Sequence, residues 1–106
     1  MADQPSMMEM LKQARDLQKK MKKVQKRVEK TEITATSADG RVTVVMTGKL
    51  HIRSLEIDHA LVRDGNVRTL QDTITQVVNA AIDKAQEMMT EEMKGVTGGL
   101  NMPDLF

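Results

Sequence analysis

Three lysines, Lys12, Lys19 and Lys26, recur at intervals of seven residues, with Arg15, Lys22, Lys23 and Lys30 set around them. On a helix seven residues make two turns, so the three would stand in a row about 10.5 Å apart. Lys20 and Arg27 supply a flanking row. Ammonium and guanidinium groups in this pattern offer point charges to a polyanion rather than acid–base or nucleophilic chemistry. The imbalance is local. Residues 1–30 hold nine Lys/Arg against four Asp/Glu, the remainder seven against eleven, and the whole chain nets only +1.

Other chemistries find little support. The absence of cysteine rules out disulfides, thiolate metal sites and a cysteine nucleophile. Ser6, Ser37 and Ser54 fall where a helix cap, a strand end and a strand are expected. His51 and His59 lie on and just after the last expected strand. Asp58 and His59 are adjacent, and neighbours on an extended chain point to opposite faces. No carboxylate cluster has metal-ligand spacing, and no glycine-rich strand–helix junction suggests a phosphate loop. The expectation is a protein without catalytic residues, metal, cofactor or small-molecule substrate. The N-terminus has no basic region followed by an apolar run, and no stretch approaches the roughly 18 apolar residues of a membrane span. A cytoplasmic protein is expected.

The elements that must position the basic residues follow from periodicity. From Met7 the apolar positions are Met7, Met10, Ala14, Leu17, Met21, Val24 and Val28, alternating steps of three and four as in the a/d seam of a coiled coil. Ser6 with Glu9 forms a capping box after Pro5, so a helix is predicted over about 6–30. Residues 31–37, 41–47 and 49–58 read as strands, joined by turns at Asp39-Gly40 and Gly48-Lys49. The apolar alternation of the third strand changes phase near Ser54, which predicts a bulge or a sheet buried on both faces. After Asp64-Gly65-Asn66, with Asn66 as N-cap, a second helix is predicted over 67–94, ended by Gly95. Its wider apolar stripe suits it to cover the sheet. A flexible tail is expected over 95–106. The chain is thus one domain, 1–106, of the α+β class: α-β-β-β-α, a three-stranded antiparallel sheet flanked by two long helices. With ten methionines and Phe106 as the single aromatic residue, its core must be aliphatic.

A first helix of about 25 residues is about 37 Å long, more than a domain of this size needs. Part of its seam, Met10, Ala14, Leu17, Met21, Val24 and Val28, is therefore expected to pair with a second copy in a homodimer. The opposite face would carry Lys12, Arg15, Lys19, Lys20, Lys22, Lys23, Lys26, Arg27 and Lys30. A solvated coiled-coil exterior usually mixes both signs evenly, and here acids are scarce. A membrane-adsorbing helix needs a broad apolar face with bulky anchors, which the narrow Met/Ala/Val seam is not. Single-stranded nucleic acid is held largely by aromatic stacking, and base readers favour Arg, Asn and Gln. A lysine-dominated helix fits double-stranded DNA, held by its phosphates with little sequence preference. The alternative is a non-enzymatic adaptor whose basic helices dock an acidic protein.

The run Met10-Leu11-Lys12-Gln13-Ala14, then Leu17-Gln18-Lys19-Lys20-Met21, then Gly48-Lys49, Ser54 and Ile57-Asp58, together with Thr97-Gly98-Gly99-Leu100-Asn101 and Pro103, resembles the YbaB/EbfC family of nucleoid-associated proteins. The spacing of Asn79, Ala85 and Met93 fits as well. The resemblance implies an intertwined homodimer with projecting, tweezer-like helices, DNA binding that alters DNA conformation, nucleoid association and no catalysis. His59 stands where the family often has proline, which implies a looser turn. The stretch 22–30 is more basic than the family's mixed-charge helix, which implies tighter and less selective binding.

Overall fold

Ser6 starts the first helix: its hydroxyl oxygen accepts from the Glu9 amide at 3.2 Å, satisfying one of the free N–H groups of the first turn. In the computed structural model, which describes residues 6–97, this helix is α1, Met7–Lys30. Thr31 closes it, donating its amide to the Val28 carbonyl at 3.0 Å and its hydroxyl to the Arg27 carbonyl at 2.8 Å. The chain then turns directly into β1 (Glu32–Thr36), β2 (Val42–Thr47) and β3 (Ile52–Ile57), a purely antiparallel sheet in the order β1-β2-β3. The short helix α2 (His59–Arg63) and the long helix α3 (Val67–Thr97) follow. Pro5 and the expected tail beyond Thr97 lie outside the described residues.

The first hairpin turns at Asp39-Gly40, as its sequence predicts. Gly40 has φ +75°, the left-handed region glycine enters without a Cβ penalty. Ser37 organises the turn: its hydroxyl accepts from the amides of Arg41 and Val42 and donates to Asp39 at 2.6 Å. That hydroxyl, followed by the Arg41 amide, holds the Asp39 carboxyl below the usual carboxylate range.

The second hairpin differs from expectation. Its loop spans three residues rather than two, because the Thr47 amide donates to the His51 carbonyl at 2.9 Å and the Leu50 amide to the Thr47 carbonyl at 2.9 Å. Leu50 closes the loop at φ +65°, so β3 begins at Ile52 rather than Lys49, and His51 precedes the strand. A leucine in the left-handed region costs about 1–2 kcal/mol, and this one is 42% exposed. Leu50→Gly relieves that strain, against a partial loss of burial and the greater freedom of glycine in the unfolded chain. We expect a net gain below about 1 kcal/mol, measured by thermal unfolding. The phase change near Ser54 is a bulge: Val45 pairs with Ser54 and Met46 with Ile52, leaving Arg53 as the extra residue.

Asp58 and His59 have a structural use. The Asp58 carboxylate accepts from the Ala60 amide at 2.8 Å and caps α2. His59 is the first residue of that helix, a position where proline's missing N–H costs nothing. This helix is not expected from the sequence, since five residues leave no periodicity to detect; α2 serves to set Leu61 into the core. Asn66 caps α3 as expected, accepting from Thr69 at 3.0 Å. Gly95 does not end α3, which continues through it to Thr97.

The core lies between the sheet and α3. Ala35, Val42, Val44 and Met46 meet Val77, Ala81 and Ala85. The two alanines, fully buried, let the helix axis approach the strands. A lysine of the same helix reaches the sheet's rim: Lys84 donates to the Thr34 carbonyl at 3.0 Å. Within the sheet α3 packs chiefly on β1 and β2, and Ile52 and Leu55 of β3 stay 49% and 42% exposed. Their register opposite Met46 and Val44 nonetheless puts them on the apolar face.

Candidate nucleic-acid interface

Burial falls steadily along α1 toward its N-terminus. Val28 is 1% exposed, Val24, Met21 and Leu17 are half-buried, and Ala14, Met10 and Met7 are open. The half-buried part packs along the C-terminal half of α3. Arg27 pairs with Glu92 there, and further out Val96 borders the same hollow as Met10, Ala14 and Leu17. Against expectation, the lower seam is thus occupied within its own chain. Val28 in particular is enclosed by the β2–β3 turn and is not available to a second copy. Of the six seam residues, Met10 and Ala14 remain fully open. The molecule extends over 75 × 21 × 16 Å.

The face opposite the seam is the cationic one. At 100° per residue, Lys12, Arg15, Lys19, Lys22, Lys23, Lys26 and Lys30 fall within a sector of about 100°. All seven are exposed. Lys20 and Arg27, also exposed, lie on the flank of the seam rather than in this sector, and Arg27 is engaged by Glu92. Among the described residues no ion pair or hydrogen bond ties down the other eight basic side chains. Glu29 is turned aside by Gln25, whose amide donates to it at 3.4 Å. The result is a row of about 27 Å from Lys12 to Lys30 by helix rise, free to meet phosphates, held on a helix whose other end is locked into the domain.

His51 sits at the second hairpin and His59 at the start of α2, both exposed. Among the described residues there is no group of His, Asp and Glu that could hold a metal ion, and no helix long and apolar enough to cross a membrane.

Residues 3–100 match the YbaB/EbfC DNA-binding family. The chain belongs to that family. It is 42% identical over 106 residues to a nucleoid-associated protein of Alkaliphilus metalliredigens, covering all of this chain and 93% of that one. A nucleoid-associated protein of Finegoldia magna is 48% identical over 77 residues, 73% of this chain and 68% of the relative. The crystal structure of Helicobacter pylori HP0035 superposes with a TM-score of 0.75 at 18% identity, covering 90% of this chain and all of that one. That likeness concerns the fold alone, which is the α-β-β-β-α arrangement expected from the sequence. The family assignment makes this a nucleoid-associated, DNA-binding type of chain.

One feature the basic-residue pattern passed over is apolar. Met8 and Leu11 lie off the seam yet are 80% and 53% exposed at the tip of α1. Their signal was present in the sequence as two large apolar residues on the lysine side of the wheel.

Proposed function

We infer that the protein is a homodimeric component of the bacterial nucleoid that binds double-stranded DNA through its phosphates, with little sequence preference, and changes the DNA's conformation. The observation that carries this reading is the exposed, unpaired cationic row on α1, set on a domain that is otherwise net acidic. Lysine neutralises phosphate as a point charge and carries no base code. Relatives named nucleoid-associated protein support the same reading. It is tested by gel shifts of random-sequence duplex over a range of salt. Each phosphate neutralised contributes a slope of about −0.9 in log K against log salt. Affinity that is insensitive to salt, or confined to one sequence, would refute phosphate binding.

The second copy is supported by large apolar side chains left exposed on β3, α2 and the start of α3: Ile52, Leu55, Val62 and Val67, 42–62% exposed. Exposed apolar surface of this kind suits an interface between copies. With the open part of the α1 seam, Met10 and Ala14, these residues are the proposed dimer surface. Leu55→Glu should yield a folded monomer in sedimentation at micromolar concentration. A dimer of unchanged strength would place the interface elsewhere.

A further inference from the structure

Met8 and Leu11 are not part of the helix seam. Taking Met7 as the origin and 100° per residue, they lie near 100° and 40°, in line with Arg15, Lys19, Lys22 and Lys26. The seam runs along the opposite side, and α3 approaches α1 on that side, where Val96 borders Met10, Ala14 and Leu17. The two apolar side chains, 80% and 53% exposed, share a shallow hollow with Lys12, Arg15 and Lys19. Glu9 and Asp16 line it as well. Among the described residues, the basic row therefore ends, at the tip of the arm, in an apolar point.

We propose that Met8 and Leu11 form a wedge that enters a base step of duplex DNA and unstacks it, while the lysines behind it hold the adjoining phosphates. This deepens the duplex-binding reading and rests on it. Flexible apolar side chains are the type that architectural proteins insert between base pairs, and partial unstacking kinks the duplex. From Met8 to Lys30 the face is about 33 Å long by helix rise, close to one turn of duplex at about 34 Å. The balance of charge favours a polyanionic occupant. The hollow holds Lys12, Arg15 and Lys19 against Glu9 and Asp16, and the row continues in Lys22, Lys23, Lys26 and Lys30, so two copies packed on this face would bring net positive surfaces together, whereas DNA places phosphates beside the cations and an apolar base stack at the centre.

The test uses the full chain and a random-sequence duplex of about 30 base pairs, labelled at both ends for energy transfer, with 2-aminopurine at a central TA step, the flexible kind of step. The wild-type protein should raise both signals. Met8→Gln/Leu11→Gln should bind within about threefold of wild type with the same salt slope, because it removes no phosphate contact, and should lose most of the bending and unstacking. Met8→Ala/Leu11→Ala, which favours the helix, should do the same. Equal bending by either double variant that stays folded by circular dichroism overturns the wedge, as does wild-type binding without bending. If the wild-type protein does not bind duplex even at low salt, the phosphate-binding reading fails and the wedge falls with it. Without DNA, a change in oligomeric state in either double variant assigns the tip to a second copy. Wild-type co-sedimentation with phosphatidylglycerol vesicles that the variants lose assigns it to a membrane. Both of those outcomes also overturn the wedge.

Discussion

Replacing Lys12, Lys19 and Lys26 together with glutamate abolishes duplex binding at near-physiological salt, an expected loss of a thousandfold or more. On the proposed phosphate-binding reading, each reversal would remove one phosphate contact and place an anion against the DNA backbone. The lost contacts alone lower the salt slope by about 2.7 per helix engaged, from about 0.9 each. All three side chains are exposed, so packing should not suffer, and the new carboxylates would stand one turn from Arg15, Lys22, Lys23 and Lys30 as well as from Glu9, Asp16 and Glu29, so stability should change little. Gel shifts at several salt concentrations measure the affinity, and circular dichroism and sedimentation confirm an intact fold and unchanged oligomeric state. Binding that survives at physiological salt would remove the outer face of α1 from the interface. Arg27 gives an internal comparison. Engaged by Glu92 and set outside the row, it should matter less to DNA than Lys26, 100° away on the wheel.

Gly48→Ala should be the most damaging conservative change in the described chain. A methyl group there would stand 2.0 Å from the Val28 carbonyl oxygen and 2.7 Å from its carbon. Neither atom is the end of a flexible side chain. The last turn of α1 and the β2–β3 loop would have to separate, stretching the hydrogen bond from the Gly48 amide to the Thr31 carbonyl, now 3.0 Å. Overpacking against backbone together with a weakened hydrogen bond costs about 3 kcal/mol. Urea unfolding measures it through the midpoint. Gly40→Ala is the control: it meets nothing within 4 Å and pays only for its φ of +75°, about 1–2 kcal/mol. Similar losses in the two variants would show that α1 is not seated on this turn as described.

What could be read from the sequence was whatever depends on near neighbours. The seam and Ser6 specified α1, Asp39-Gly40 specified the first hairpin, and Asn66 specified the start of α3. The bulge was visible as a phase change because side chains alternate strictly along a strand. Other features rest on contacts distant in sequence. Gly48 reads as an ordinary turn glycine, and only the arrival of Val28 shows why no side chain fits. Leu50 is an improbable residue for a left-handed position, so its loop was assigned to the strand. Gly95 suggests a helix end, yet α3 continues through it. The basic row was legible as a spacing pattern; that Arg27 is held by Glu92 was not, since the two are 65 residues apart. The seam was legible as apolar, but which surface covers it depends on where α3 lies.

Lys84 has a consequence for assembly. The Ser37 amide bonds across to Val42, so alternate pairs outward from there are hydrogen-bonded, and Thr34, opposite Val45, falls between them. Its carbonyl therefore points away from β2, toward the sheet's outer rim, and Lys84 occupies it. A strand arriving at β1 would have to displace an ammonium group. Any lateral growth of the sheet is left to the β3 side. Two copies joined there would share the same edge face to face and leave only guarded rims outside. Such an assembly would tend to close at two, since growth as a filament would have to begin on the edge that Lys84 occupies.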